Sequence, residues 1–109
     1  MKAIQDIIDL LIKFRNERNW EQFHNSKDLA LALSIEASEL IELFLWKGSE
    51  DVDAERLKEE LADVFIYAFL LAKKYDLDVG DIVLNKIKIN EKKYPPEKAK
   101  DSPTKYNEL

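Results

Sequence analysis

Residues 34–44, SIEASELIELF, carry apolar side chains at helical spacing and place Glu36, Glu39 and Glu42 three apart among them. The neighbours of position i on a helix lie at i±3, i±4 and i±7. For Glu36 these include Leu29, Ala32, Leu33, Leu40 and Leu43; for Glu39 they include Ala32, Ile35, Leu43 and Trp46. Both acids therefore fall inside an apolar stripe, side by side at i, i+3. Residues 59–67, EELADVFIY, repeat the arrangement: Asp63 has Glu60 at i−3 and Glu59 at i−4, with Ile66, Tyr67 and Leu70 following on the same side.

Around these two stretches the pattern is helical almost throughout. The chain has 109 residues, 46% of them hydrophobic and 36% charged, with two glycines and three prolines. That length suits one domain with a real core. The spacing predicts an all-α fold of four helices. The first covers residues 2–18, with Ile4, Ile7, Ile8, Leu11, Ile12 and Phe14 on its apolar side. The stretch NERNWEQFHNS breaks it. Asn25 or Ser26 caps the second helix, Asp28 sits in its first turn, and Lys47-Gly48 ends it after Trp46. The acidic connector GSEDVD leads to Asp53 as N-cap of the third and most apolar helix, RLKEELADVFIYAFLLAKKY. Asp78 caps a shorter fourth helix, which Pro95-Pro96 stops because proline lacks an amide and clashes with the preceding turn. Residues 1–94 are thus read as the all-α domain and 95–109 as a polar C-terminal arm, with little apolar surface to offset the entropy of ordering it.

Several function classes drop out. A formal net charge of −5 argues against a nucleic-acid polymer as partner, which needs a basic face to displace counterions. The absence of cysteine and the single histidine exclude thiolate, disulfide and multi-histidine sites. With neither a secretory signal pattern nor an apolar run of about 20 residues, the chain reads as cytoplasmic and off the membrane.

A lone Glu-x-x-Glu pair is ordinarily a solvated helix face. Two acidic pairs set in apolar stripes are different, because converging carboxylates repel one another and lose hydration at several kcal/mol per unpaired ion. No lysine or arginine has the spacing to neutralise them all. Carboxylate oxygens without nitrogen or sulfur suit a hard divalent ion, magnesium or manganese. Spacing alone leaves Glu59 and Glu60 both open as partners of Asp63.

SIEASELIELF followed by EELADVFIY resembles the Glu-x-x-Glu and Glu-x-x-Asp motifs of the MazG-like, all-α nucleotide pyrophosphohydrolases. FRNERNWEQFHNSKDLALAL, ELFLWK, NKIKINEKKYP and the terminal KYNEL resemble the dCTP pyrophosphatase branch, so the likeness covers nearly everything from Phe14 onward. It implies hydrolysis of a nucleoside triphosphate between the α and β phosphates, to the monophosphate and pyrophosphate. It further implies Glu36, Glu39, Glu60 and Asp63 as ligands of magnesium, a metal-activated water as nucleophile, and dCTP or a modified dCTP as substrate. No general base is assigned. Trp20, His24, Trp46 and Tyr67 would line the nucleoside pocket, where each stacked base gains roughly 1–3 kcal/mol. Trp46 and Tyr67 also fit core positions, whereas Trp20 lies in a polar loop. Lys86, Asn90 and Lys93 share one stripe fit to meet phosphates or sugar, the ordinary alternative being a solvated basic face. Leu11 stands where animal members of the branch carry a pocket histidine, and Ser26 where proline is expected.

LALALSI and VFIYAFLLA are apolar nearly all round, more than four helices of this length can shield within one chain. A homo-oligomer is expected, tetramer over dimer by the resemblance. The competing readings are a non-catalytic nucleotide- or divalent-ion-binding helical oligomer and a purely structural bundle with solvated acids.

Overall fold

The computed structural model describes residues 3–46, 48 and 51–101, and among these there is no strand. The helices are α1 (Ile4–Glu17), α2 (Ser26–Glu42), α3 (Ala54–Lys74), α4 (Val79–Lys93) and the short α5 (Pro96–Ala99), with a 3-10 turn at Glu21–Phe23. The expected helix start at Lys2, the stop at Lys47, residues 49–50 of the acidic connector and the terminal KYNEL lie outside the described residues.

Caps fix three of the helix starts, because a short polar side chain can accept from the otherwise unpaired amides of the first turn. The Asn25 side chain accepts from the Asp28 amide at 2.9 Å and donates to the Asp28 carboxylate at 2.7 Å. Asp53 Oδ1 accepts from the amides of Glu55 and Arg56 at 3.0 and 3.5 Å. Asp78 Oδ1 accepts from the Asp81 amide at 2.9 Å. At the other end, Tyr94 is the C-cap of α4, and Pro96 occupies the first turn of α5.

Two features differ from the sequence expectation: Pro96–Ala99 form a short fifth helix within the predicted polar arm, and one boundary moves. Instead of running on to Trp46, α2 ends at Glu42. There the ladder tightens to i→i−3 bonds, from the amides of Leu43, Phe44 and Leu45 to the carbonyls of Leu40, Ile41 and Glu42 at 3.3, 3.0 and 3.3 Å. Trp46 then takes φ 64°, so the left-handed position falls on it rather than on Gly48. A bulky side chain there costs backbone energy.

The chain folds into two compact units, Met1–Asp76 and Leu77–Leu109. Within the first, α2 and α3 pack most extensively and α1 adds to α3. Glu36 comes to Glu60 and Asp63 at one level. Leu29 shares a cleft with Leu70 at another, so α2 and α3 run antiparallel. Ile8, Leu29, Leu43, Leu70 and Ala72 are the buried apolar residues. Large apolar side chains remain on the surface, among them Phe65 at 52%, Ile35 at 50% and Ile41 at 59% exposure. The second unit holds α4 and α5. No described helix is long and apolar enough to cross a membrane.

Candidate active site

Antiparallel packing of α2 on α3 brings the two acidic motifs to the same level. One carboxylate oxygen from each of Glu36, Glu60 and Asp63 lies within 4.8 Å of the others. Of the two acids that spacing left open beside Asp63, Glu60 joins this group, while Glu59 is exposed. Glu39 is half-buried, and its carboxylate acts on both Glu36 and Glu60.

The electrostatics are those of unneutralised acids. Burial pushes the Glu36 carboxyl up to about 6, and the neighbouring carboxylates of Glu39, Asp63 and Glu60 push the same way. Glu60 is raised by burial first and then by Glu39 and Asp63, with Arg56 opposing. Oε2 of Glu36 and Oε2 of Glu60 are buried without a hydrogen-bond partner among the described residues. Orphaned buried oxygens are costly and call for an explanation. An all-oxygen donor set with unpaired buried lone pairs fits a hard divalent cation.

A second constellation lies on the α1 side of α3. After α1, Asn19 takes a left-handed φ of 53°, which asparagine tolerates better than most residues. The reversed chain carries Trp20 back over Phe14, the rings meeting edge to face at 5.8 Å and 77°. Arg18 donates to the Phe14 carbonyl at 3.0 Å and lays its guanidinium 3.7 Å from the Phe14 ring centroid. Trp20, His24 and Tyr67 then line one slot of about 80 Å³ with Leu11, Phe14 and Arg15. His24 Nδ1 is buried without a hydrogen-bond partner among the described residues. Its pKa is lowered by burial and then by the charges of Arg15 and Lys74, against Glu21.

Of the other expected site residues, Trp46 is fully exposed, at 101%. Lys86, Asn90 and Lys93 lie along α4 in the second unit, Lys86 exposed and the other two half-buried. Sequence reading did not single out Arg15, Lys73 or Lys74, which meet His24 in a cleft of about 290 Å³ next to the aromatic slot. The signal for Arg15 was present: it lies four residues after Leu11 and seven after Ile8, on the apolar stripe of α1.

Residues 31–109 match the model of the MazG-like family. The chain is 42% identical to human dCTP pyrophosphatase 1 over 115 aligned positions, covering 98% of this chain and 68% of the relative. Against the mouse protein of the same name the identity is 38%, with the same coverage. A crystal structure of a pyrophosphatase from Archaeoglobus fulgidus superposes with a TM-score of 0.77 at 35% identity, over 87% of this chain and 94% of that one. With a family match over most of the chain and similarity along nearly its whole length, this protein belongs to the MazG-like family of all-α nucleotide pyrophosphohydrolases.

Proposed function

We propose that this chain is a magnesium-dependent nucleoside triphosphate pyrophosphohydrolase, with dCTP or a modified dCTP as substrate, giving the monophosphate and pyrophosphate. The observation that carries this reading is the group of three carboxylates, Glu36, Glu60 and Asp63, within 4.8 Å of one another. Glu39 is the fourth acid of the proposed ligand set, and manganese suits the same donors. Magnesium, when bound, supplies positive charge against the triphosphate and lowers the pKa of a coordinated water. The nucleophile is water, and no covalent intermediate is invoked.

The remaining work falls to the chain's own side chains. Trp20 and Tyr67 flank the base, with Phe14 backing Trp20 edge-on and keeping its ring in place. His24, whose pKa is lowered by burial and by the charges of Arg15 and Lys74, keeps a ring nitrogen without a partner among the described residues, for the nucleoside. Trp46, Lys86, Asn90 and Lys93 complete the proposed substrate-binding set. The full exposure of Trp46 supports a role in ligand or subunit contact over one in this chain's own core. The acids hold the phosphate end in register, so chemistry and base recognition stay apart along α3. The dCTP assignment rests on the name of the human and mouse relatives.

A homo-oligomer, tetramer over dimer, belongs to the same proposal. An apolar groove of about 560 Å³, lined by Ile4, Ile7, Leu11, Phe65, Ile66 and Phe69, supports it. Its rim residues Ile4, Ile7 and Phe65 stay 48%, 42% and 52% exposed, apolar surface that a second copy of the chain would cover. The function is tested by measuring pyrophosphate release from a panel of common and modified triphosphates, with magnesium and with chelator. Release only with magnesium, fastest from a cytosine nucleotide, is expected. Equal release in chelator, or none from any nucleotide, would refute the proposal.

A further inference from the structure

Helix α3 carries both the acids and the groups beside the base slot, in the order Glu60, Asp63, Tyr67, Leu70, Lys73, Lys74. At a rise of 1.5 Å per residue, Tyr67 stands about 6 Å beyond Asp63 along the axis and Lys74 about 16 Å beyond it. A nucleotide with its α phosphate at the acids and its base at Tyr67 therefore turns the outer edge of that base toward the last turn of α3. There a cleft of about 290 Å³ opens, sharing Arg15, His24 and Leu70 with the aromatic slot. It also takes in Lys73, Lys74, Glu21 and Asp76.

Donors exceed acceptors in this cleft. The Arg15 side chain is only 11% exposed, and its one ion pair among the described residues, to Glu21, is long at 3.7 Å. Its other side-chain bonds go to Asn16 beside it, at 3.1 and 3.2 Å. Lys73 reaches Asp76 only at 4.0 Å. Lys74 has no ion pair among the described residues, and His24 Nδ1 is buried without a partner. Three cations against two acids leave a net positive site beside a slot for a flat ring. A methyl group or a bare C–H placed here offers the largely buried Arg15 guanidinium no acceptor, whereas a carboxylate accepts from an arginine in two parallel bonds.

We propose that this cleft is a base-edge subsite that selects nucleotides whose base carries an anionic substituent on the edge away from the sugar. It extends the pyrophosphohydrolase proposal by naming a substrate class, and it rests on that reading. Arg15 is the specificity-determining residue and Lys74 its support.

The test compares 5-carboxy-dCTP with 5-methyl-dCTP by kcat/KM, with magnesium, in the wild type and in Arg15→Met, Lys74→Met and the double variant. Methionine keeps most of the apolar stem of each side chain. Charge-assisted hydrogen bonds of this kind correspond to about a tenfold or greater preference for the carboxylate. The wild type is expected to show that preference, mainly in KM, and the double variant to lose it. Lys74 is exposed, so Lys74→Met keeps the comparison available if Arg15→Met does not fold. A wild-type ratio at or below one, or a ratio unchanged by the substitutions, overturns the subsite and leaves the pyrophosphohydrolase reading standing. No hydrolysis of either nucleotide, nor of any in the panel, overturns that reading and the subsite with it.

Discussion

Glu36→Gln and Asp63→Asn are each expected to lower turnover with magnesium by at least about 100-fold, since even groups that only orient a metal ligand cost about 10–100-fold when lost. Neither change should weaken the metal-free fold, because each removes a charge from a cluster that repels itself. The pH dependence follows from Glu36. Its folded pKa of about 6 lies above the ordinary 4.5, so the folded state holds this proton more tightly than the unfolded chain does. The stability of the metal-free protein therefore falls as pH rises from about 4.5 to about 6, and stays at the lower level above that. Melts in chelator across this range should show the fall in the wild type and a smaller one in Glu36→Gln. The exposed acids Glu42 and Glu59 serve as controls. Changed to glutamine, they should leave activity within about two- to three-fold, as surface substitutions usually do. Equal losses at all these positions would point to a diffuse field instead of a ligand set.

Trp20→Ala is expected to raise KM by roughly 5- to 150-fold, the range that corresponds to about 1–3 kcal/mol of stacking per base. The turnover number at saturation should change less. Stacking on a base remote from the reacting phosphorus acts about equally in the ground and transition states, so its loss appears in binding. The substitution is a clean one, because Trp20 is 45% exposed and its removal opens no closed cavity. Steady-state kinetics on dCTP with magnesium, beside a thermal melt, provide the measurement. A folded variant with unchanged KM would remove Trp20 from the nucleoside site.

What could be read in the sequence follows from how local each determinant is. Asn25, Asp53 and Asp78 were legible as caps because capping needs only a short polar side chain and amides two or three residues on. The acids were legible because a charge inside an apolar stripe breaks the helical period. Spacing could not separate Glu59 from Glu60, since both lie within about one turn of Asp63. The family resemblance implies Glu60, and in physical terms the packing of α2 distinguishes the acid that faces Glu36 from the one that faces solvent. The end of α2 was misread because Gly48 looked like the natural left-handed stop, while the chain turns earlier and places Trp46 in that conformation. Arg15 broke the stripe of α1 as Glu36 breaks that of α2, but a single arginine is commonly explained by its long apolar stem. Its surroundings come from the 3-10 turn and the last turns of α3, distant in sequence and joined only by the fold.

In the proposed function these acids and aromatics hold a nucleoside triphosphate for attack by water at the α–β anhydride. Phosphorus NMR of dCTP incubated with the protein and magnesium tests it most directly. dCMP and pyrophosphate are expected to appear together in equal amounts, and neither to appear with Glu36→Gln. Release of dCDP and inorganic phosphate, or equal turnover by Glu36→Gln, would contradict it.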